Sequence, residues 1–231
     1  MASDIKTAIV TGAGGSLGYA TVHQLLEQGF QVAVLERNME HLRLRFGDAT
    51  NARLLPVAAD VTDLASCQNA VDQVRQRWGR IDALCNIAGG FSMGSSVAEN
   101  AVQQYEHLMA LNAAAVFKMV HCVAPVMLAQ GAGSIVNIGA QSALSGAANM
   151  AAYCASKSAV IRMTESFSAE FKKSGVRVNS ILPSIIDTPQ NRKDMPDADF
   201  SQWTSPEKIA QVIGFLVSDA SGAVTGAGIA V

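Results

Sequence analysis

The chain has 231 residues, of which 49% are hydrophobic and only 16% charged, with a formal net charge of −2. Average domains carry about 25% charged residues, so we expect strands buried on both faces and a further apolar surface at a subunit interface. The small negative charge excludes nucleic acid as the main partner. We also expect no membrane association, because no apolar run approaches the ~20 residues of a membrane span.

The cysteines and histidines do not form the pattern of a metal site. The four histidines are scattered, and Cys67, Cys85, Cys122 and Cys154 have no close spacing. Residues 1–6 lead directly into a predicted strand, which is not the pattern of a signal peptide. We therefore expect a cytoplasmic protein with free thiols, no disulfide and no bound metal.

The first 35 residues predict a strand, a glycine-rich turn, a helix and a second strand. The strands are residues 7–11 and 30–35, the turn is 12–18, and the helix extends to about Gln28. Glycine lets backbone N–H groups approach a diphosphate, and the helix N-terminus adds a favourable field. This complete βαβ unit predicts a dinucleotide site rather than a glycine-rich loop without a ligand.

Two charged residues, Glu36 and Arg37, close the second strand. A carboxylate in this position accepts hydrogen bonds from the adenosine ribose and repels a 2′-phosphate, so Glu36 favours NAD(H). The neighbouring guanidinium of Arg37 could tolerate that phosphate, which leaves NADP(H) as the alternative cofactor.

Strands and helices alternate through the rest of the chain. The further predicted elements are a strand at 54–59, a helix at 64–78, strands at 81–85 and 134–138, long helices at 102–130 and 153–173, a strand at 177–182, a helix from Ser205 and a strand at 226–231. This order predicts one α/β domain over residues 1–231, a doubly wound, Rossmann-type parallel sheet of about seven strands with helices on both faces. We expect segment 185–203 to cover bound ligand as a lid, with a fixed surface helix and loop as the alternative.

Several small or polar residues follow predicted strand ends, where such sheets bind ligands. Asp60 follows the third strand and is a candidate for an adenine contact, whereas Asp63 or Thr62 caps the next helix. After the fourth strand, Ala88 and Gly89 would let the chain pass beneath a nicotinamide ribose, although they equally fit a tight turn.

Tyr153 and Lys157 are the strongest candidates for chemistry. They are four residues apart in a stretch of helix formers and small residues, which places both on one helix face. A nearby ammonium favours the phenolate, so we expect Lys157 to lower the pKa of Tyr153 from its ordinary value of about 10. An incidental pair in a buried helix is the alternative. Asn112 lies in a predicted long helix, where asparagine is unfavourable; it either bends the helix or, as we expect, bonds to another group.

The order of these motifs resembles the short-chain dehydrogenase/reductase family over nearly the whole chain. The shared motifs are Thr11-Gly12-x-x-x-Ser16-x-Gly18, Asp60, Asn86-x-Ala88-Gly89, Asn112, Tyr153-x-x-x-Lys157, and Pro183 with Thr188. The resemblance implies that Tyr153 is the general acid/base, that Lys157 binds the nicotinamide ribose and lowers the Tyr153 pKa, and that Asn112 holds a relay water. It also implies a nicotinamide cofactor bound by Gly12, Gly14, Ser16, Leu17, Gly18, Glu36, Arg37, Asp60, Val61, Asn86, Ala88, Gly89, Tyr153, Lys157, Pro183, Ile186 and Thr188.

The chain also departs from the family pattern. The family's catalytic serine is replaced by Ala140, which cannot donate a side-chain hydrogen bond. Gln141 or Ser142 could substitute for it, and the sequence leaves both open. The other departures are Ser16, Ile87 and Ser184, which stand where the family has glycine, asparagine and glycine.

These departures resemble one branch of the family, the quinonoid dihydropteridine reductases. The shared stretches are 84–91, 139–140 and the long, unusual 187–203. Asn86 and Asn112, in contrast, are closer to the ordinary family pattern. The resemblance therefore also allows a relative of this branch that acts on another substrate.

A quinonoid dihydropterin would fit the missing serine. It is a flat, electron-poor ring over which charge spreads after reduction, so that one donor, Tyr153, could suffice. Aromatic neighbours could stack on such a ring. The candidate substrate residues are Phe91, Ala140, Gln141, Ser142 and Trp203.

Three classes of function follow from the sequence. The first is an NAD(P)(H)-dependent oxidoreductase acting on a quinonoid dihydropterin-like ring or, alternatively, on carbonyls and alcohols. The second is a non-catalytic nucleotide-binding sensor, which does not need Tyr153, Lys157 and Asn112. The third is a structural subunit, against which Glu36 and the glycine turn count. We expect a small-molecule substrate. Helices 102–130 and 153–173 carry more apolar residues than one buried face needs, which indicates an interface, and the family resemblance implies a homodimer or homotetramer that uses them.

Overall fold

The computed structural model describes residues 5–47, 52–93, 96–99 and 101–231. Residues 1–4, on which the expectation about a signal peptide depends, lie outside this part. The centre of the fold is a seven-stranded parallel sheet in the order β3-β2-β1-β4-β5-β6-β7. The strands are β1 (Thr7–Thr11), β2 (Gln31–Glu36), β3 (Leu54–Ala58), β4 (Ala83–Asn86), β5 (Gly133–Ile138), β6 (Val176–Leu182) and β7 (Gly228–Ala230).

Helices cover both faces of the sheet, so the predicted doubly wound Rossmann-type fold is confirmed. Successive strand residues point to opposite faces, and the two cores follow this alternation. Ile9 and Leu84, which are paired across β1 and β4, belong to one core, and Val10 and Cys85, the next pair, belong to the other. The helices are α1 (Ser16–Glu27), α2 (Met39–Phe46), α3 (Leu64–Trp78), α4 (Ala101–Leu108), α5 (Ala115–Gln130), α6 (Ala151–Phe171), α7 (Pro189–Asp194) and α8 (Pro206–Val217).

The strand order reverses between β1 and β4, which opens a crevice at their carboxyl ends. Thr11, the last residue of β1, holds the segment that follows β4 next to the segment that follows β1. Its hydroxyl oxygen accepts hydrogen bonds from the backbone N–H groups of Ile87 and Ala88, each at 3.0 Å. The glycine turn and the segment after β4 are therefore held side by side at the switch point.

The long helix predicted at 102–130 is not regular. A π-helical turn, Met109–Ala114, separates α4 from α5. By length and composition the whole stretch Ala101–Gln130 is apolar enough to cross a membrane, which corrects the expectation that no run approaches a membrane span. However, 56% of its most apolar window is buried inside the protein, as in a core helix.

The four cysteines are free and buried. Burial raises the pKa of Cys67 to about 11 and that of Cys85 to about 12. Since the thiolate is the reactive form, these thiols are packing residues rather than nucleophiles.

Candidate active site

A cavity of about 970 Å³ opens at the carboxyl ends of the strands, at the upper end of the range for ligand pockets. It brings residues from both halves of the sheet into one wall. The predicted site residues that line it are Gly12, Ser16, Leu17, Gly18, Glu36, Arg37, Asp60, Val61, Ala88, Gly89, Phe91, Ala140, Gln141, Ser142, Tyr153, Lys157, Pro183 and Ile186. Five other predicted residues lie outside this wall: Gly14, Asn86, Asn112, Thr188 and Trp203.

The glycine turn packs too closely for side chains. Gly12 has a φ of +63°, and a Cβ built on it would lie 2.8 Å from the Cα of Ala88. A Cβ on Gly18 would overlap the carbonyl oxygen of Gly12 and lie 2.7 Å from the Cα of Ala13. The backbone of this turn therefore faces the cavity directly, at the N-terminus of α1, where an anionic group is favoured.

Glu36 is attached to the glycine turn. Its carboxylate accepts hydrogen bonds from the backbone N–H of Gly14 at 3.3 Å and from that of Arg37 at 3.0 Å. Gly14 thus lies behind the wall as the partner of Glu36, while the exposed Arg37 lines the cavity beside it. The carboxylate that the sequence predicts at the end of β2 therefore lies next to the glycine turn.

Asp60 lines the next part of the wall and is fixed by a local turn. Its carboxylate accepts hydrogen bonds from the N–H of Thr62 at 2.8 Å and from the Thr62 hydroxyl at 2.6 Å. These hydrogen bonds hold the pKa of Asp60 below its usual value. The helix cap that the sequence left open is Asp63, which accepts a hydrogen bond from the N–H of Ser66 at 2.8 Å.

Asn86 supports the cavity wall from behind instead of lining it. It is buried and paired with Asn137 across β4 and β5, and its Nδ2 donates to the Oδ1 of Asn137 at 2.9 Å. Asn137 in turn donates to the hydroxyl of Thr164 on α6 at 2.9 Å. A side chain used in this chain of hydrogen bonds points away from the cavity, which is why the predicted cofactor contact is not in the wall.

Asn112 bonds to other groups, as expected, and it also lies in the π-helical turn. Its Oδ1 accepts from the N–H of Gly90 at 2.8 Å, and its Nδ2 donates to the carbonyl oxygen of Gly90 and to the hydroxyl of Ser156, each at 3.0 Å. Ser156 donates to the carbonyl oxygen of Tyr153 at 2.8 Å. Asn112 therefore joins the segment after β4 to the helix that carries Tyr153.

Lys157 and Tyr153 share the cavity wall, but the expected effect of the lysine on the phenol is not observed. Lys157 is buried, and its Nζ donates to the carbonyl oxygen of Ile138 at 2.7 Å. Burial lowers the pKa of Lys157 to about 8. Burial, followed by the nearby Cys154, raises the pKa of Tyr153 to about 12. The prediction that Lys157 lowers the Tyr153 pKa is wrong for this state of the protein, because desolvation of the phenolate is the larger effect.

Phe91 and Trp203, the two predicted aromatic contacts, have different positions. Phe91 is exposed and lies edge-on to the ring of Tyr153, with ring centroids 4.9 Å apart. Trp203 lies outside the wall and packs against Phe200, with centroids 4.7 Å apart. Thr188, also outside the wall, caps α7 by accepting from the N–H of Asn191.

Part of the wall was not predicted from the sequence. It is formed by three large apolar side chains and one histidine. Two of these residues, His107 and Leu111, are four positions apart in one predicted helix, and this spacing could have indicated a shared face. The four residues are Met93, His107, Leu111 and Met150. Asn191 and Met195 also line the wall, and they belong to segment 185–203, which the sequence predicts to cover bound ligand.

Residues 6–199 match the family described as short chain dehydrogenase. This chain belongs to the short-chain dehydrogenase family. The dehydrogenase is 34% identical over 218 residues to a sorbitol dehydrogenase of Cereibacter sphaeroides, with 92% of this chain and 83% of that relative covered. It is 34% identical over 236 residues to a D-threitol dehydrogenase of Mycolicibacterium smegmatis, with 97% and 90% covered. The solved structure of NAD+-bound xylitol dehydrogenase has a TM-score of 0.85 and 26% identity, with 98% and 97% covered.

This short-chain dehydrogenase is an NAD(P)-dependent oxidoreductase. Its own residues fit such a cofactor, since a glycine turn without room for side chains faces the cavity and a carboxylate closes β2. A bound nicotinamide supplies or accepts the hydride. The phenol of Tyr153 lines the same cavity, and its oxygen has no hydrogen-bond partner within residues 5–47, 52–93, 96–99 and 101–231, so it is free for a ligand.

The depressed pKa of Lys157 predicts a pH-dependent stability. An unfolded lysine keeps its proton up to about pH 10.5, whereas Lys157 in the folded protein loses it near pH 8. Between these values the unfolded state binds more protons, so the stability contributed by this residue rises with pH. Relative to Lys157→Met, the wild-type free energy of unfolding should rise by up to about 3 kcal/mol between pH 7.5 and 10.5.

Urea unfolding of both proteins without cofactor, at half-unit pH steps, measures this difference. Comparison with the variant removes the opposite contributions of the buried thiols, whose raised pKa values make stability fall at higher pH. A difference that stays flat with pH would show that Lys157 titrates as an ordinary lysine.

Proposed function

We propose that this dehydrogenase interconverts an alcohol and a carbonyl compound, with Tyr153 as the proton donor to, or acceptor from, the reacting oxygen. The observation that carries the proposal is the position of Tyr153 and Lys157 in the wall of the cavity that the glycine turn also faces. The relatives named above are dehydrogenases of sugar alcohols, which supports alcohol and carbonyl substrates. That these relatives are dehydrogenases also argues against the non-catalytic sensor and the structural subunit.

The proton step uses only residues of this chain. In carbonyl reduction, the hydroxyl of Tyr153 gives its proton to the substrate oxygen as the carbonyl carbon receives hydride from the reduced cofactor, and an alcohol results. Burial raises the pKa of this phenol to about 12, so it is protonated at neutral pH and can donate its proton in the reductive direction. Lys157 has three N–H donors, of which Ile138 uses one. The other two are available for the cofactor ribose and the phenol.

A panel of alcohols and ketones tests this function. Purified protein is mixed with NAD(H) or NADP(H) and each compound, and cofactor absorbance is followed. We expect turnover of at least one secondary alcohol or ketone. Cofactor binding without turnover of any member would favour the nucleotide-binding sensor.

A quinonoid dihydropterin is the second candidate substrate. The observation in its favour is local: Ala140 offers no donor and Phe91 presents an exposed ring beside Tyr153. The relatives are named for alcohols and not for pterins, so we place this substrate second. Adding a quinonoid dihydropterin to the panel decides between the two substrate classes, because the class with the higher kcat/KM is the better substrate.

We propose NAD(H) as the preferred cofactor. Glu36 is held at the glycine turn by the N–H of Gly14, where a 2′-phosphate would meet its negative charge. Replacing Glu36 by serine should lower the kcat/KM ratio of NADH to NADPH by about 5–30-fold, because a like-charge repulsion of about 1–2 kcal/mol is removed. Arg37 remains in place to pair with the phosphate.

Steady-state kinetics with both cofactors measure this ratio. Glu40→Ser, at an exposed position on α2, is the matched control and should leave the ratio unchanged. A wild-type enzyme that already prefers NADPH would contradict the assignment.

We further propose a cytoplasmic homodimer or homotetramer that associates through helices 102–130 and 153–173. Val102, Tyr105 and Phe117 on the first of these are 68%, 47% and 52% exposed, which is unusual for large apolar side chains on one helix. Size-exclusion chromatography with light scattering tests the assembly.

We also propose that segment 185–203 acts as the lid, since Met195 and Asn191 from it line the cavity.

A further inference from the structure

We propose that the hydroxyl of Ser142 is the second hydrogen-bond donor to the reacting substrate oxygen, alongside the phenol of Tyr153. This inference rests on the proposed alcohol and carbonyl chemistry. Two neighbouring features support it. Ser142 lines the cavity, and its hydroxyl has no hydrogen-bond partner among the described residues. The turn that carries it is hydrogen-bonded to the helix of Tyr153. Ser142 changes no covalent bond; it only stabilises the charge that develops on oxygen.

Three consecutive residues shortly after β5, Ala140, Gln141 and Ser142, differ in what their side chains can donate to a ligand. Ala140 is buried and has only a methyl group. Gln141 is used structurally: its Nε2 donates to the carbonyl oxygen of Val231 at 3.1 Å, and its backbone N–H donates to that of Pro183 at 3.0 Å. The Ser142 hydroxyl has no partner among the residues that the structure describes, although it lines the cavity with Ala140 and Gln141.

The turn that carries Ser142 is held in place by hydrogen bonds. Residues Gln141–Leu144 form one short 3₁₀ turn. The hydroxyl of Ser158, on the helix that carries Tyr153, donates to the carbonyl oxygen of Ala143 at 2.7 Å. The N–H of Ala143 closes the turn on the carbonyl oxygen of Ala140 at 3.1 Å. A donor mounted on such a braced turn needs little reorganisation when charge appears nearby, which is the condition for strong electrostatic stabilisation.

Two other serines line the cavity with hydroxyls that lack a partner in the described part of the chain, and both are less suitable. Ser16 begins α1 and belongs to the glycine turn, at the diphosphate end. Ser184 is exposed and follows β6, with no hydrogen bond from its side chain to the Tyr153 helix. Ser142 alone among the three is on an element braced to that helix. Ser145, which is exposed at the end of the same turn and lies outside the cavity wall, offers a matched control.

Removing one donor of this kind costs about 10²–10³-fold in kcat. Ser142→Ala should therefore lower kcat and kcat/KM by similar factors, as expected for an interaction made mainly in the transition state. Ser142→Thr, which keeps a hydroxyl, should retain at least about a tenth of the activity. Ser145→Ala should stay within about twofold of the wild type, as should the cofactor affinity of every variant. Ser184→Ala tests the other cavity serine as the donor.

The experiment measures kinetics for these variants with an alcohol or ketone that the wild type turns over, together with cofactor titration and melting temperature. A second measurement does not depend on turnover: the infrared carbonyl stretch of the ketone bound to Tyr153→Phe, with and without Ser142→Ala. We expect the hydroxyl of Ser142 to lower this frequency, and its removal to restore the frequency of a carbonyl without a donor.

The outcomes separate the two proposals. If the wild type turns over the ketone and Ser142→Ala does the same within about twofold, or if Ser184→Ala produces the larger loss, the role of Ser142 is overturned while the proposed function stands. If no alcohol or ketone is turned over by the wild type, the proposed function fails and the role of Ser142 is rejected with it.

Discussion

Tyr153→Phe should abolish most of the turnover while leaving cofactor binding intact. General acid–base catalysis by a positioned side chain contributes about 10²–10⁴-fold, and the loss of kcat should fall in this range. The ring itself, with its edge-on contact to Phe91, is kept in the variant. Because the phenol oxygen has no hydrogen-bond partner within the described residues, its removal should not change the free energy of unfolding appreciably.

Kinetics with NADH and a ketone, and fluorescence titration of NADH, provide the two required measurements. Tyr105→Phe is the matched control, because Tyr105 is 47% exposed on α4 and outside the cavity wall. Near-normal turnover by Tyr153→Phe would remove this residue from the mechanism. An equal loss in Tyr105→Phe would point instead to a general effect of losing a tyrosine hydroxyl.

Gly18→Ala should damage both the fold and the cofactor site. Its Cβ would overlap the carbonyl oxygen of Gly12 and lie 2.7 Å from the Cα of Ala13. Both neighbours are backbone atoms, so the strain must move the turn. Overpacking of this kind costs about 1–3 kcal/mol, equivalent to a fall in melting temperature of about 2–12 °C for a chain of this size.

The same displacement should raise the Kd for NADH by at least about tenfold, because it moves the N–H groups that face the diphosphate. Thermal unfolding and NADH titration measure the two effects. Gly146→Ala is the matched control, since a Cβ on Gly146 meets nothing within 4 Å. A Gly18→Ala variant with wild-type melting and affinity would show that the turn is more adaptable than its packing indicates.

The fold was largely predictable because its signals are local and repeated. Each buried strand is a short apolar run, and glycines with positive φ end several helices, as at Gly79 and Gly175. The helix α2 was missed, since half of its residues Met39–Phe46 are charged or polar and it buries only Leu42. The π-helical turn was missed too. Asn112 lies in it, and the hydrogen bonds of its side chain to Gly90 and Ser156 join segments that are distant in the sequence.

The candidate site was predictable where a sequence motif determines the course of the backbone or the position of a charged side chain. The glycine turn, Glu36 and the Tyr153–Lys157 pair are in the wall as the spacing indicated. The pKa of Tyr153 was not predictable, because it depends on how deeply the ring is buried and on the nearby Cys154. Spacing alone does not reveal either fact. The methionines of the wall come from separate elements that only the folded chain brings together.

The π-helical turn at Met109–Ala114 gives the helix on either side of it separate rotational phases. A turn of this kind accommodates more residues than an α-helical turn does, and each residue of an α-helix advances the side chain by about 100°. The faces of α5 are thus offset from those that a continuous α-helix would present. His107 on α4 lines the cavity, whereas Phe117 on α5 is exposed. Substitutions at these two positions should therefore act separately, one on substrate selectivity and the other on the proposed subunit association.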